Sequence, residues 1–272
     1  MSTAGRNARG ISSTMSASTG RFTDRVDDYV RYRPRYPDAV LALLERELEL
    51  VPERTRVVDI GTGTGISAEL FLHAGYSVVG VEPNAAMRAT AERLLASYER
   101  FRCVDGAAEA TNLPAACADL VVAAQAFHWF DRERARDEVH RILAPGGGLA
   151  LLWNGRKPDA TPFLQGYEAT LRRWASDYTK VNHQNLTDAE IASFFAPGTC
   201  ALHLFSNHQD FDWEGLLGRA LSSSYVPARG QPGHDDFVAA LRELFLSEAV
   251  SGRVRFEYDT KVYVGTLDST HK

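Results

Sequence analysis

The chain has 272 residues, of which 44% are hydrophobic, so it can bury a sizeable core and is not expected to be disordered throughout. Its net charge is −5, from 30 basic and 35 acidic residues with no long basic run, which argues against a nucleic-acid-binding protein. Cys103, Cys117 and Cys200 have neither disulfide nor metal-ligand spacing, and no apolar run reaches the roughly 18 residues that span a bilayer.

The N-terminal residues differ in composition from the rest of the chain. Residues 1–20 are rich in Ser, Thr, Gly and Ala and contain no acid, which predicts a disordered leader. A transit peptide has a similar composition and stays open as an alternative, and Met15 is a candidate natural start. Beyond the leader we predict a cofactor-binding core over 21–154, a helical lid on the substrate side over 155–198, and the remaining strands and helix of the same domain over 199–272.

Strands and helices alternate along the core. A helix is predicted from residue 38 by leucines and valines at helical spacing, and the alternation begins after it. Short apolar strands are predicted at 56–60, 77–81, 101–104, 119–124 and 149–153. Helices are predicted at 66–74, 85–97 and 132–143. This order predicts an α/β fold with a doubly wound, mostly parallel sheet that helices cover on both faces.

The pattern changes after Asn154. Aromatic and apolar residues at three- and four-residue steps predict mostly helix over 161–195, followed by a strand over 201–211 and a helix over 235–249. Over 254–264, apolar residues first alternate with charged ones, as in Val254, Arg255 and Phe256. Such alternation is typical of a strand with one solvated face, so we predict an antiparallel strand at the edge of the sheet.

A glycine-rich turn connects the first strand to the following helix. Gly61, Gly63 and Gly65 form it, Asp59 precedes it by two residues, and Glu82 ends the next strand, 21 residues after Gly61. An acid at that place can accept hydrogen bonds from both hydroxyls of a ribose. The dinucleotide fingerprint needs a third glycine at the sixth position, where this chain has Ile66, so a nicotinamide oxidoreductase is the less favoured alternative. A further alternative is a tight turn that binds no ligand.

At these motifs the sequence resembles the class I S-adenosylmethionine-dependent methyltransferases. The likeness is to the small-molecule branch that includes the ubiquinone/menaquinone methyltransferase-like and trans-aconitate methyltransferase-like enzymes. It covers roughly residues 29–153. The matching motifs lie at 32–37, 58–65, 81–84, 108–114, 118–121 and 143–147. The resemblance implies an enzyme with a seven-stranded Rossmann-like sheet and S-adenosylmethionine as its cofactor. A module that binds the cofactor without turnover is the alternative within this fold.

The resemblance also implies a role for individual positions. The methionine part and the ribose of the cofactor would be wrapped by Asp59, Gly61, Thr62 and Gly63. The nucleoside would be held by Glu82 at the ribose hydroxyls, Pro83 beside the adenine, and Ala107 and Ala108 at the adenine edge. Gln125 would lie at the amino-acid end and Tyr36 would close over the cofactor. Many relatives have Asp at the place of Ala107, so adenine recognition here is expected to use backbone groups.

The methyl acceptor is expected beyond the fourth strand, because ligands of open parallel sheets bind at the carboxyl ends of the strands. Residues 125–131 occupy that place, and His128 is the candidate general base, with ordinary aromatic packing as the alternative interpretation. An acidic acceptor would need an arginine, for which Arg33, Arg156 and Arg219 are candidates. Aromatic candidates for covering the site or lining the pocket are Tyr29, Tyr32, Trp174, Tyr178, Phe194, Phe195, Trp213 and Tyr225.

The expected partners follow from the same observations. We expect a small-molecule acceptor, no metal, no nucleic acid and no membrane. The cysteine usage favours a cytoplasmic protein, and we expect it to act as a monomer or homodimer.

Overall fold

A single seven-stranded sheet forms the centre of the protein, seen in a computed structural model that describes residues 30–175, 186–223 and 225–268. The strand order is β3-β2-β1-β4-β5-β7-β6. The strands are β1 (Arg56–Ile60), β2 (Ser77–Val81), β3 (Phe101–Val104), β4 (Ala118–Ala124), β5 (Leu143–Arg156), β6 (Thr199–Phe211) and β7 (Val254–Thr266). The candidate residues Tyr29 and Tyr178 lie outside the described residues.

Helices connect these strands. They are α1 (Asp38–Leu48), α2 (Ile66–His73), α3 (Ala85–Leu94), α4 (Arg132–Ile142), α5 (Pro162–Trp174), α6 (Asp188–Phe194), α7 (Trp213–Leu221) and α8 (His234–Glu248). A short 3-10 turn, Phe127–Trp129, follows β4. Side-chain oxygens cap several helices at their N-termini. Asn84 accepts from Ala86 N and Met87 N at the start of α3, and Thr187 forms a capping box with Glu190 at the start of α6.

The sheet is buried on both faces. On one face, Val58, Val121 and Leu151 pack with apolar residues of α4 and α6. On the other, Val57 and Leu120 pack with residues of α1 and α2. Strands buried on both sides read as continuous apolar runs, which is why the sequence predicts a parallel sheet here. The bounds predicted for β1, β2 and β3 agree with the structure.

A third apolar cluster lies beyond the carboxyl end of β5. There β7 extends past its neighbour, and Phe256 and Tyr258 pack with residues of α5, α7 and α8. This cluster is built from the part of the chain after Asn154. It therefore stands at the edge of the sheet where ligands of this type of fold bind.

Two elements differ from their predicted form. β5 begins at Leu143 rather than 149, because residues 143–148 already pair with β4 as irregular strand, with a register shift between Ala118 and Leu120. Helix α7 was not predicted. It begins after Asp212, whose side chain accepts from Gly215 N.

The antiparallel strand runs in the predicted direction, but it is not outermost. β7 pairs antiparallel with β5 on one side and with β6 on the other, so β6 forms the edge. The alternation that predicted an edge arises in the first half of β7, which packs on one face only, whereas Val262, Tyr263 and Val264 are all buried. Among the described residues, no helix has the length and apolar character needed to cross a membrane.

Candidate functional site

The glycine-rich turn lies at the carboxyl end of β1 and adopts backbone conformations that favour glycine. Gly61 has φ 71° and Gly63 has φ 58°. A Cβ at Gly61 would lie 2.6 Å from the Cβ of Ala126, so this glycine allows the loop to approach the segment after β4. A Cβ at Gly63 would have only the Gly61 carbonyl oxygen near it, at 4.0 Å. The backbone at Gly63 therefore borders open space in which a ligand can lie.

Four of the five N–H groups of residues 61–65 are already used within the protein. Gly61 N and Thr62 N donate to the Val81 carbonyl, at 2.8 and 3.2 Å. Gly63 N donates to the Glu82 carboxylate at 3.0 Å, and Gly65 N donates to the Thr62 carbonyl at 2.9 Å. A loop that holds a pyrophosphate must direct its N–H groups at the anion. These four donors are not available for that, which disfavours a dinucleotide.

Glu82 connects the loop to the end of β2. Its two carboxylate oxygens accept from Gly63 N at 3.0 Å and from Asn84 N at 2.8 Å. Burial raises the pKa of this carboxyl, and the two backbone hydrogen bonds act against the rise. Each carboxylate oxygen can accept a further hydrogen bond. The side chain is thus fixed from the protein side and can accept ribose hydroxyls on the other.

Asp59 stands behind the loop and is fully buried. One carboxylate oxygen, Oδ2, accepts from Thr62 Oγ1 at 2.7 Å and from Ser67 Oγ at 2.6 Å. Burial raises the pKa of Asp59 to about 6, although both hydroxyls and the backbone N–H of Ala68 act to lower it. Asp59 and Thr62, both predicted to bind the cofactor, are placed here to shape the loop and to supply negative charge behind it.

The residues predicted around the adenine lie beyond the ends of β2 and β3. Pro83 is exposed, Ala107 is half-buried and Ala108 is buried. Ala107 and Ala110 exchange both backbone hydrogen bonds, each at 3.1 Å. The N–H of Ala107 is therefore occupied, and its carbonyl oxygen keeps one lone pair for a further donor, such as the adenine amino group.

Gln125 lies on the other side of the loop, directly after β4. It has φ 56°, and its side-chain amide donates to the Asn154 carbonyl at 3.2 Å. Asn154 is buried, its Oδ1 accepts from Thr260 Oγ1 at 2.5 Å, and its amide donates to the carbonyls of Pro34 and Arg35 at 3.4 and 3.3 Å. Asn154 therefore attaches the N-terminal segment to the carboxyl edge of the sheet. Sequence reasoning missed it, because a single Asn after a strand carries no periodic signal.

Tyr36 follows that attached segment. It is 8% exposed and packs among apolar residues of the α1 and α2 face, including Val40 and Phe71. This places Tyr36 in the core beside the site, where its ring supports the segment that Asn154 attaches to the sheet.

His128 lies in the short 3-10 turn after β4, the place predicted to face the acceptor. Its ring is half-buried, with the centroid 4.8 Å from that of Trp129. Trp129 itself is 42% exposed, so this turn borders solvent rather than the core. The position is compatible with a general base, and with packing against the tryptophan.

The three candidate arginines lie together. Arg33 Nη2 donates to the Ser222 carbonyl at 3.2 Å, and Arg219 Nη1 donates to Ser223 Oγ at 3.4 Å. The guanidinium carbon of Arg156 lies 4.9 Å from the centre of the Tyr167 ring. Among the predicted pocket aromatics, Tyr225 lies within this group, since Arg156, Arg219 and Arg33 all act on its hydroxyl.

The remaining predicted pocket aromatics have packing roles. Phe194 and Phe195 are buried in the α4 and α6 face, and Tyr32, Trp174 and Trp213 pack at the border of the third apolar cluster. Ser222 and Ser223, which contact the arginines, were missed because no sequence pattern distinguishes them from ordinary residues at a helix end.

Comparison with known proteins points to one family. The model of the methyltransferase domain matches residues 58–151. The chain is 31% identical over 157 residues to a methyltransferase-like protein of Schizosaccharomyces pombe, covering 57% of this chain and 59% of that protein. It is 35% identical over 128 residues to the trans-aconitate 2-methyltransferase of Variovorax paradoxus, covering 46% and 48%. The aligned region thus spans about half of each of these relatives.

The three-dimensional likeness is more extensive. A solved structure from Anaeromyxobacter dehalogenans, of a protein assigned as a type II methyltransferase, has a TM-score of 0.63 and 25% sequence identity. The match covers 88% of this chain and 99% of that one. It therefore extends well beyond the segment that the family model matches.

Proposed function

We propose that the chain is a class I S-adenosylmethionine-dependent methyltransferase and that it transfers a methyl group from that cofactor to a small-molecule acceptor. The observation that carries the proposal is Glu82, whose carboxylate accepts from Gly63 N and Asn84 N beside the open space at Gly63. S-adenosylmethionine has a ribose and a cationic centre but no phosphate. An acid-lined loop in which the N–H groups of Gly61, Thr62, Gly63 and Gly65 are internally satisfied suits that combination.

The residues that would hold the cofactor are those at the carboxyl ends of β1, β2 and β4. Glu82 would accept the ribose hydroxyls, and the backbone of Gly61 and Gly63 would lie along the ligand. Asp59 would contribute a buried negative charge behind the loop, which favours a cation in front of it. Gln125 would stand at the amino-acid end.

The bound cofactor supplies an electrophilic methyl group on a sulfonium. The chain's own residues then act by orienting the acceptor in line and by excluding water. His128 is the proposed general base where the acceptor atom carries a proton, since imidazole can accept it near neutral pH. An acceptor that reacts through a carboxylate needs no base.

Two observations favour a small molecule over a nucleic acid as the acceptor. The chain has a net charge of −5, whereas binding to a phosphate backbone requires clustered positive surface. One relative, moreover, is named for a small organic acid. The proposal includes a cytoplasmic location, which the three free cysteines support.

The test is the affinity for S-adenosylhomocysteine, measured by calorimetry, in the wild type and in Glu82→Gln. The amide keeps the shape of the side chain but removes the charge that strengthens its hydrogen bonds, worth about 1.5–3 kcal/mol per bond. Its NH₂ group also cannot accept, so one of the two hydrogen bonds from Gly63 N and Asn84 N is lost. We expect affinity to fall tenfold or more. Glu92→Gln, an exposed glutamate on α3, is the matched control and should bind as the wild type does.

Turnover is tested separately, with labelled S-adenosylmethionine against a panel of small acids, phenols and amines and with products identified by mass. Absence of S-adenosylhomocysteine binding in the wild type would overturn the proposal. Binding with no methylated product in the panel would favour a module that binds the cofactor without turnover.

A further inference from the structure

The three arginines come from distant parts of the sequence and meet around a group of hydroxyls. Arg33 belongs to the segment that Asn154 attaches to the sheet, Arg156 ends β5, and Arg219 lies on α7. The hydroxyls come from Tyr167, Tyr225, Tyr258 and Ser223. We call these three arginines with their hydroxyls the arginine cluster.

Arg219 is the most deeply placed of the three, with 5% of its surface exposed. It donates to Ser223 Oγ and lies 5.8 Å from the centre of the Phe256 ring, while its Nε has no hydrogen-bond partner among the described residues. The groups that act on it electrostatically are the hydroxyls of Tyr258, Tyr167 and Tyr225, with no carboxylate among them. A buried guanidinium without a carboxylate is costly unless an anion completes its surroundings.

Among the residues that the structure describes, a carboxylate reaches the cluster at Arg156 but not at Arg219. Glu168 contacts Arg156 at 2.6 Å and is shared with Arg172 on the protein surface, at 3.1 Å. Burial acts to raise the pKa of Tyr225, and Arg156, Arg219 and Arg33 together outweigh it, so that this pKa lies below its ordinary value. The hydroxyl thus experiences an excess of positive charge. The same charge would attract an anionic ligand.

The position of the cluster places it on the acceptor side of the cofactor. Arg156 pairs with Tyr258 across β5 and β7, whereas the glycine loop and Glu82 end β1 and β2. Two strand spacings separate β1 from β5, roughly 10 Å at about 4.8 Å each. Gln125 and Asn154 lie between the two regions and are joined by a hydrogen bond.

A cavity of about 320 Å³ adjoins the cluster at Arg156, and its other positive charges provide a contrast with Arg219. Besides Arg156, it is lined by residues of β5 and β7 that include Lys157 and Lys261. Each lysine is paired, Lys157 with Asp259 at 3.4 Å and Lys261 with Asp188 at 2.8 Å. Positive charge there is compensated within the protein. Among the described residues, no carboxylate compensates the positive charge of Arg219 in this way.

We propose that the arginine cluster is the specificity site of the enzyme and that it binds a carboxylate group of the methyl acceptor. Planar guanidinium groups form paired hydrogen bonds with carboxylates, and burial makes them selective for an anion over a neutral ester. The proposal rests on the proposed function, because it identifies the class of acceptor. It assigns the acceptor to the small carboxylic acids.

The experiment measures the binding of benzoate, succinate and trans-aconitate by calorimetry in the presence of S-adenosylhomocysteine. Methyl benzoate, dimethyl succinate and trimethyl trans-aconitate are the neutral controls. At least one of the acids should bind in the millimolar range or tighter, and its ester should bind at least tenfold more weakly. Arg219→Gln should weaken acid binding tenfold or more. Arg219→Lys should have an affinity between those of the wild type and Arg219→Gln.

Arg255→Gln is the matched control variant, because Arg255 is an exposed arginine paired with Asp210 at 2.7 Å. It should bind the acid as the wild type does. If Arg219→Gln does not fold, as judged by circular dichroism, Arg33→Gln replaces it, since that half-buried side chain is closer to the surface.

Four outcomes would overturn the proposal. They are no binding of any of the acids, equal binding of acid and ester, tighter binding of inorganic phosphate than of the three acids, and a loss of S-adenosylhomocysteine affinity in Arg219→Gln. The last would assign the cluster to the carboxylate of the cofactor instead. Carboxylate binding does not depend on turnover, so a chain that binds an acid but no S-adenosylhomocysteine would contradict the proposed function alone.

Discussion

At the scale of single residues, the site separates groups that face a ligand from groups that build the loop. Glu82 has lone pairs to offer, whereas Asp59 is buried and accepts from Thr62 and Ser67. Both acids end a strand in the sequence and look equivalent there. Their surroundings assign them different roles, because Asp59 is fully enclosed whereas Glu82, at 8% exposed, reaches the side of the loop where Gly63 borders open space.

His128 gives the prediction that belongs to this scale. If it removes a proton from the acceptor, His128→Asn should lower turnover by about 100-fold or more while leaving S-adenosylhomocysteine affinity within about twofold. The measurements are steady-state methyl transfer and calorimetry. His140→Asn is the matched control, because His140 is an exposed histidine on α4 that contacts Asp268. Turnover within threefold of the wild type would leave His128 as a packing residue.

At the scale of elements, the glycine loop and the segment after β4 form one unit. The approach of Gly61 to Ala126 places the end of β1 against the residues that lead to His128. Gln125 continues the connection to Asn154, and Asn154 to the N-terminal segment. Cofactor side and acceptor side are therefore linked by backbone contacts as well as by the sheet.

The contact at Gly61 predicts a difference between two Gly→Ala substitutions. Both Gly61 (φ 71°) and Gly252 (φ 72°) have left-handed backbone, so alanine should cost each about 1 kcal/mol of unfolding free energy. A Cβ at Gly252 meets nothing within 4 Å, whereas at Gly61 it collides with Ala126. Gly61→Ala should therefore lower the free energy of unfolding by about 2 kcal/mol or more. It should also bind S-adenosylhomocysteine at least tenfold more weakly.

Gly252→Ala is the control for this pair and should keep wild-type affinity. Urea unfolding and calorimetry measure the two quantities. Equal costs in the two variants would mean that the loop can move away from the segment after β4.

At the scale of the whole molecule, Asp59 couples global stability to pH. Its folded-state pKa of about 6 lies above the ordinary value of 3.8, so the folded state holds the proton more tightly. Its contribution to the free energy of unfolding is therefore highest below pH 4. That contribution falls as the pH rises from 4 to 6, and it stays low above pH 6. The effect amounts to up to about 3 kcal/mol, because one pKa unit corresponds to 1.36 kcal/mol.

Asp59→Asn removes this titration. Measured by urea unfolding without cofactor, the stability of the variant relative to the wild type should increase between pH 4 and pH 6. Asp38→Asn, an exposed acid in the first turn of α1, is the control. A relative stability that does not change with pH would show that Asp59 ionises normally in the folded chain.

The sequence by itself determined the alternating architecture, the bounds of β1, β2 and β3, and the cofactor side of the site. These features are local. Strand and helix periodicity report which faces are buried, and Gly61, Gly63 and Glu82 lie at strand ends that the same pattern locates. The position of β7 inside the sheet could not be read in this way, because alternation reports one solvated face and not the identity of the neighbouring strand.

Only the tertiary structure brought together the three arginines that we propose for the acceptor. The sequence offered Arg33, Arg156 and Arg219 as three unconnected candidates, separated by more than 60 residues at each step. They meet because Asn154 attaches the N-terminal segment, β7 pairs with β5, and α7 packs over the end of both. Such contacts depend on which elements become neighbours, and the free energy that selects those neighbours is spread over the whole core rather than written in any one segment.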